Sequence, residues 1–160
     1  MSAAEPTILE LLDAANIGRR GLDLDAVERR RARDAERELD ARFACSERLA
    51  VYGSLAPGRE NYHMVEPLGG NWSDGVVEGD LTRHGWGAAM GYPALRLRTG
   101  APTVTVRVLA SPALATAWAR LDAFEGAAYR RVLVPVWTDS EVPERRLVAV
   151  ANLYEAAGPD

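Results

Sequence analysis

Two spacings of apolar residues divide this 160-residue chain. Up to Phe43 the apolar positions recur every three or four residues, as on one face of a helix. Thr7 with Glu10 three residues on has capping-box spacing, and Ile8, Leu11, Leu12 and Ala15 share a face until Gly18 and Gly21 interrupt it. A short amphipathic helix is therefore expected. A second helix is predicted from Asp23 or Asp25 through Arg42, with Val27, Ala35, Leu39 and Phe43 as a thin apolar stripe. Its other faces are charged, and Arg30 with Asp34 and Glu38 with Arg42 stand at i,i+4, each pair supporting the helix by roughly 0.2–0.5 kcal/mol.

From Leu49 onward the pattern changes to short apolar runs bounded by Gly, Pro, Asn and Asp. These predict strands at 49–52, 76–81, 94–98, 104–109, 131–137 and 146–154. Between the fourth and fifth, Ser111 suits an N-cap and Pro112 a first helical position. Leu114, Trp118 and Leu121 share the face that docks on the sheet, and the helix ends near Phe124–Gly126, leaving Glu125 at its terminus. Strands that do not alternate with helices argue against a doubly wound nucleotide fold. The expected class is α+β, with an N-terminal helical extension (1–47) before a sheet-dominated domain (48–160).

A composition of 48% hydrophobic and 26% charged residues suits one globular core. The net charge of −4 argues against nucleic acid as a partner. The basic run Glu28-Arg29-Arg30-Arg31-Ala32-Arg33 does not reverse this, because Asp34, Glu36, Glu38 and Asp40 follow and no aromatic residue is interleaved for stacking. It reads as a solvated helix face. No apolar run has the length of a membrane span, and Met1–Glu5 lacks the basic-then-apolar order of a signal peptide, so a cytoplasmic location is expected. Cys45 is the single cysteine and His63 and His84 the two histidines, too few for an intrachain disulfide or a thiolate-rich or histidine-based metal site. No metal or organic cofactor is expected.

The chemistry concentrates in two distant segments. Val51-Tyr52-Gly53-Ser54-Leu55 reads as a strand running into a small-residue turn whose backbone N–H groups can face a ligand. Leu121-Asp122-Ala123-Phe124-Glu125-Gly126, followed by Tyr129-Arg130-Arg131, delivers an acidic side chain at a helix end. Together they suggest an anion cradle and a proton-transfer carboxylate.

These segments resemble the Tyr-Gly-Ser/Thr-Leu loop and the catalytic-glutamate segment of the gamma-glutamylcyclotransferase-like superfamily, which includes gamma-glutamylamine cyclotransferases. Gly91-Tyr92-Pro93-Ala94-Leu95 and Ala151-Asn152-Leu153-Tyr154 are similar to further family elements in the same order, so the resemblance spans about residues 48 to 155. One departure is that Val104–Leu109 has no glycine where the family strand usually carries one, which affects the expected strand bend or pocket depth. The resemblance implies a compact mixed β-barrel flanked by helices. It also implies a cyclisation in which the α-amine of a gamma-glutamyl group attacks its own side-chain amide, releasing 5-oxoproline and an amine. Glu125 would be the acid/base, Tyr52, Gly53, Ser54 and Leu55 the substrate cradle, and Tyr129 a hydrogen-bonding wall. A small-molecule gamma-glutamyl substrate is the implied partner.

Blander roles are expected elsewhere. Ser54 has no histidine placed for a triad. Asp122, one helical turn before Glu125, could form a carboxylate pair with it, but a capping or solvent-facing role is expected, and the blander role for Tyr52 is packing in the core. Arg130 and Arg131 alternate across a strand and default to the surface, His63 reads as a loop hydrogen-bonder, and Arg59 as an exposed arginine whose alternative is recognition of an acidic part of the substrate. Trp72, Trp86, Trp118 and Trp137 suit core or barrel rim. Residues 56–75 and 83–93 are candidate walls for the leaving amine. The helical stripe suits packing on its own domain or on a second subunit, the latter giving a homodimer through the N-terminal helices. The alternative function is a non-catalytic or redirected small-molecule binding module.

Overall fold

A computed structural model describes residues 5–82, 93–141 and 143–157. Two helices, α1 (Ile8–Arg19) and α2 (Ala26–Phe43), precede β1 (Arg48–Val51), β2 (Asn71–Thr82), β3 (Ala94–Leu97) and β4 (Thr103–Ala110). Helix α3 (Trp118–Glu125), β5 (Tyr129–Trp137) and β6 (Leu147–Ala156) complete the chain. The strand order is β3-β2-β4-β1-β6-β5, and a further β2–β5 pairing at Val76 and Trp137 closes five strands into a barrel with β3 as an extra strand. β1 runs parallel to β6 through Leu49 and Asn152, while the other pairs are antiparallel. The class is α+β, as expected.

β2 explains how the barrel closes without a glycine in β4. It pairs with β4 over Asn71–Glu78, then with β3 over Gly79–Thr82, and touches β5 at Val76. A Cβ at Gly75 would run into Val136 Cγ1, and one at Gly79 would lie 2.7 Å from the Arg96 carbonyl oxygen. The close backbone approaches are thus made by glycines of β2.

Alternation along the strands sorts the apolar residues into two clusters. Ala50, Val77, Val106, Val108, Val134, Val136, Ala151 and Leu153 fill the barrel. Leu49, Val51, Leu109, Leu114, Leu121 and Tyr154 form the layer beneath α3. The helix after β4 is split: Ser111 caps a 3₁₀ turn (Pro112–Thr116) before α3 begins.

The N-terminal helices pack on the barrel's outside, with Leu11, Leu12, Ala15, Ala35 and Leu39 against Leu133 and Val150. The side-chain amide of Asn16 accepts from the Leu133 N–H (2.9 Å) and donates to its carbonyl (2.8 Å), occupying both backbone groups on β5 as a neighbouring strand would. Several local expectations shift. Gly18 does not end α1; it lies where a Cβ would sit 3.0 Å from Ala32 Cβ, so the helices cross closely, and the chain turns at Gly21 (φ +69°). This close crossing buries the small residues Ala32 and Ala35 and leaves Val27 59% exposed. Asp34 pairs with Arg37 rather than Arg30, while Glu38 and Arg42 stand 3.9 Å apart. The complete capping box belongs to Asp25 and Glu28; Thr7 accepts from the Glu10 N–H, but Glu10 returns its carboxylate to the Thr7 hydroxyl. No described helix is long and apolar enough to cross a membrane.

Candidate active site

β1 ends at Val51, and the chain turns at once. The Ala56 N–H donates to the Gly53 carbonyl (3.2 Å) and the Asn61 N–H to that of Ser54 (2.9 Å), while Asn61 Nδ2 donates to Ser54 Oγ (2.8 Å). The loop is thereby folded on itself, and the N–H groups of Gly53, Ser54 and Leu55 make no hydrogen bond among the described residues. A Cβ at Gly53 would meet Pro93 Cγ at 3.7 Å, an ordinary contact, so packing among the described residues does not demand glycine there.

On the other side, α3 stops at Gly126: its N–H makes the last helical hydrogen bond, to the Asp122 carbonyl (3.0 Å), and its φ of +75° then turns the chain out of the helix. Ala127 and Ala128 carry the chain into β5 at Tyr129. The two turns enclose a cavity of about 460 Å³. Its lining contains all six sequence-predicted site residues, Tyr52, Gly53, Ser54, Leu55, Glu125 and Tyr129, together with Asn61, Pro93, Phe124, Gly126, Ala127, Ala128 and Tyr154. A cavity of this size fits a small ligand.

Glu125 is the site's distinctive group. Burial among Phe124, Tyr52, Tyr129 and Tyr154 pushes its carboxyl up to about 7. It has no ion pair or hydrogen bond among the described residues to oppose that desolvation. The tyrosines around it are committed. Tyr52 donates to the Tyr154 carbonyl (2.7 Å) and accepts from the Leu95 N–H (3.3 Å), joining β6 to β3 at the cavity wall. Burial raises its phenol well above the ordinary range, so it stays neutral. Tyr129 donates to the Pro93 carbonyl (3.2 Å).

Asp122 does not pair with Glu125. Burial disfavours its charge, but hydrogen bonds from Arg131 (2.8 and 3.3 Å) and the Tyr154 hydroxyl (2.6 Å) prevail and hold its carboxyl below the usual range. Two arginines expected at the surface are therefore structural. Arg131 binds Asp122 and stacks 4.5 Å from the Trp118 ring, and Arg130 lies 3.8 Å from the buried Glu155. The reason is register: β5 places them against β6 residues Tyr154 and Glu155. His63 and Arg59 lie outside the cavity lining, Arg59 beside Glu60 at 3.6 Å. Trp72 packs edge-on against Tyr62, Trp118 donates to the Ser46 carbonyl (3.0 Å), and Trp137 underlies Arg145. His84, Trp86, Gly91 and Tyr92, and with them most of the proposed 83–93 wall, lie outside the described residues. Asn61 and Pro93 fall in the two segments, 56–75 and 83–93, expected to wall the pocket, and Tyr154 in a segment whose family resemblance was legible, though none of the three was singled out as a site residue.

A closed barrel with a cavity lined by an acid and by backbone N–H groups, neither hydrogen-bonded among the described residues, defines the class of site. The chain belongs to the gamma-glutamyl cyclotransferase, AIG2-like family, whose model matches residues 49–158, and the family supports cyclotransferase-type activity in general. No curated protein matches the chain. Uncharacterized protein PH0828 from Pyrococcus horikoshii shares the fold at 21% identity, with a TM-score of 0.50 over 70% of this chain and 79% of that one. The uropathogenic E. coli-specific protein c4763 is also 21% identical, with a TM-score of 0.48 over 68% and 79%.

Proposed function

We propose that the protein cyclises a gamma-glutamyl amine or peptide, releasing 5-oxoproline and a free amine, with Glu125 as the acid/base. The observation that carries this reading is the unpaired Glu125 carboxyl facing the same cavity as the free N–H groups of Gly53, Ser54 and Leu55. Those donors suit the substrate's α-carboxylate or a developing oxyanion.

The proton balance closes on one carboxyl. Glu125 takes a proton from the α-ammonium; the freed nitrogen attacks the gamma-carbonyl carbon. The tetrahedral intermediate collapses as that proton passes to the leaving nitrogen and the C–N bond breaks. The regenerated carboxylate takes the second proton, which the attacking nitrogen sheds in becoming the lactam N–H, and passes it to the released amine, which leaves as an ammonium. An α-amine titrates near ~8, so transfer to a carboxyl at about 7 is uphill by about 1.4 kcal/mol. Transfer to an ordinary carboxylate near 4.5 would be uphill by roughly 5 kcal/mol. Burial of Glu125 thus makes it a competent base without a metal or a protein nucleophile. Holding amine and carbonyl together supplies the rest, since well-oriented intramolecular reactions reach effective molarities on the order of 10⁵ M.

The test is a panel of gamma-glutamyl amines and dipeptides, with 5-oxoproline measured by chromatography for wild type and Glu125→Gln. Wild type should release it and the folded variant should not. Equal turnover by the variant refutes the role of Glu125, and binding of 5-oxoproline without turnover of any substrate favours a non-catalytic module.

A further inference from the structure

The family match begins at residue 49, yet a side chain from the N-terminal helices reaches toward the site. Arg19, in the last turn of α1, is held by Glu36 of α2 through Nε (3.1 Å) and Nη2 (2.6 Å). Its remaining Nη1 donates to Asn152 Oδ1 on β6 (2.6 Å). The same oxygen accepts from Arg131 Nη1 on β5 (2.9 Å), and Asn152 Nδ2 is occupied by the Cys45 carbonyl (2.8 Å). Arg131 in turn grips Asp122 on α3, one helical turn before Glu125, and Asp122 holds the hydroxyl of Tyr154 in the cavity wall.

We propose that Arg19 is a positioning residue for this active site, acting through Asn152, Arg131 and Asp122 to fix the last turn of α3 and with it Glu125. The inference rests on the acid/base reading of Glu125, which it extends to a part of the chain outside the matched family region.

Three features favour an energetic role. The path begins and ends on a carboxylate, Glu36 and Asp122, each paired with an arginine, Arg19 and Arg131, and the neutral Asn152 oxygen accepts from both arginines. Asn152 is 1% exposed and has no spare hydrogen-bonding group on its oxygen side, so loss of Arg19 leaves Arg131 as its only side-chain donor. Arg131 is also confined by the Trp118 ring, so a displacement at Asn152 passes to Asp122. Displacing a reacting group by about 1 Å can lower a rate by on the order of 100-fold.

The experiment is a double-mutant cycle in the full chain with Arg19→Ala and Asp122→Asn, read by kcat and KM and by the ¹³C titration of the Glu125 carboxyl. Glu36→Gln serves as a second variant that keeps the Arg19 charge while releasing its orientation. Arg19→Ala should lower kcat about tenfold with KM within about twofold, and should add no further loss in the Asp122→Asn background. The Glu125 titration should move from about 7 toward the ordinary carboxylate range. Losses that multiply in the double variant, or an unchanged kcat and titration in folded Arg19→Ala and Glu36→Gln proteins, would overturn the proposal. If the titration moves but wild type turns over no gamma-glutamyl compound, the positioning role stands and the cyclotransferase reading fails.

Discussion

Replacing Glu125 by glutamine should stabilise the protein, and only above acidic pH. The folded state holds the Glu125 proton up to about 7, against 4.5 for an ordinary glutamate, so between those values the native protein binds more protons than the unfolded chain. Stability therefore falls as pH rises through that window. By pH 8 the difference of about 2.5 pH units corresponds to about 3 kcal/mol of lost stability. Glutamine is nearly isosteric, never ionises, and removes no hydrogen bond that Glu125 makes among the described residues. Urea unfolding of wild type and Glu125→Gln at pH 4 and pH 8 isolates this group, because every other titration is common to both proteins. At pH 4 the two should agree within about 0.5 kcal/mol. At pH 8 the variant should be more stable by up to about 3 kcal/mol, or a melting temperature higher by about 6–12 °C for a chain of this size. A difference independent of pH, or a wild type more stable at pH 8, would refute the argument that burial perturbs this carboxyl.

The same titration should govern turnover: kcat/KM should fall tenfold per pH unit below about 7, and an acid limb near 4.5 in a pH–rate profile would contradict the base assignment. Gly53→Ala should keep its melting temperature within about 2 °C, because the added Cβ meets Pro93 only at ordinary distance. Its KM should nevertheless rise at least about tenfold if substrate lies against the Gly53 backbone; an unchanged KM would remove Gly53 from the cradle. Asn16→Ala strips partners from both backbone groups of Leu133 and should lower unfolding free energy by about 2–4 kcal/mol in urea titrations. A loss under about 0.5 kcal/mol would show that solvent replaces the amide.

The element list was legible because helix and strand periods are local. Ile8 and Leu11, or Val104 and Val106, declare their faces within a few residues, and the observed elements fall close to the expected ranges. The pair of motifs was legible for the same reason, each being a short run with its own turn chemistry. Register and burial were not. Whether Arg131 lies on the surface or against Asp122 depends on its position opposite Tyr154, and that pairing is set by the whole β5–β6 ladder. Asn16 gave no sign that it would occupy Leu133, 117 residues away.

By itself, then, the sequence determined the helices and strands, the small-residue loop at Gly53 and the acidic helix end at Glu125, because each follows from neighbours a few positions apart. Only the tertiary structure decided that these meet around one cavity, that Glu125 is dehydrated there, and that Arg19 from the N-terminal helices connects to the turn that carries it. Those outcomes come from the parallel β1–β6 contact, the closure at Val76 and Trp137 and the docking of α1 on β5. Each joins distant parts of the chain, and desolvation of a carboxyl depends on everything packed around it rather than on its sequence neighbours.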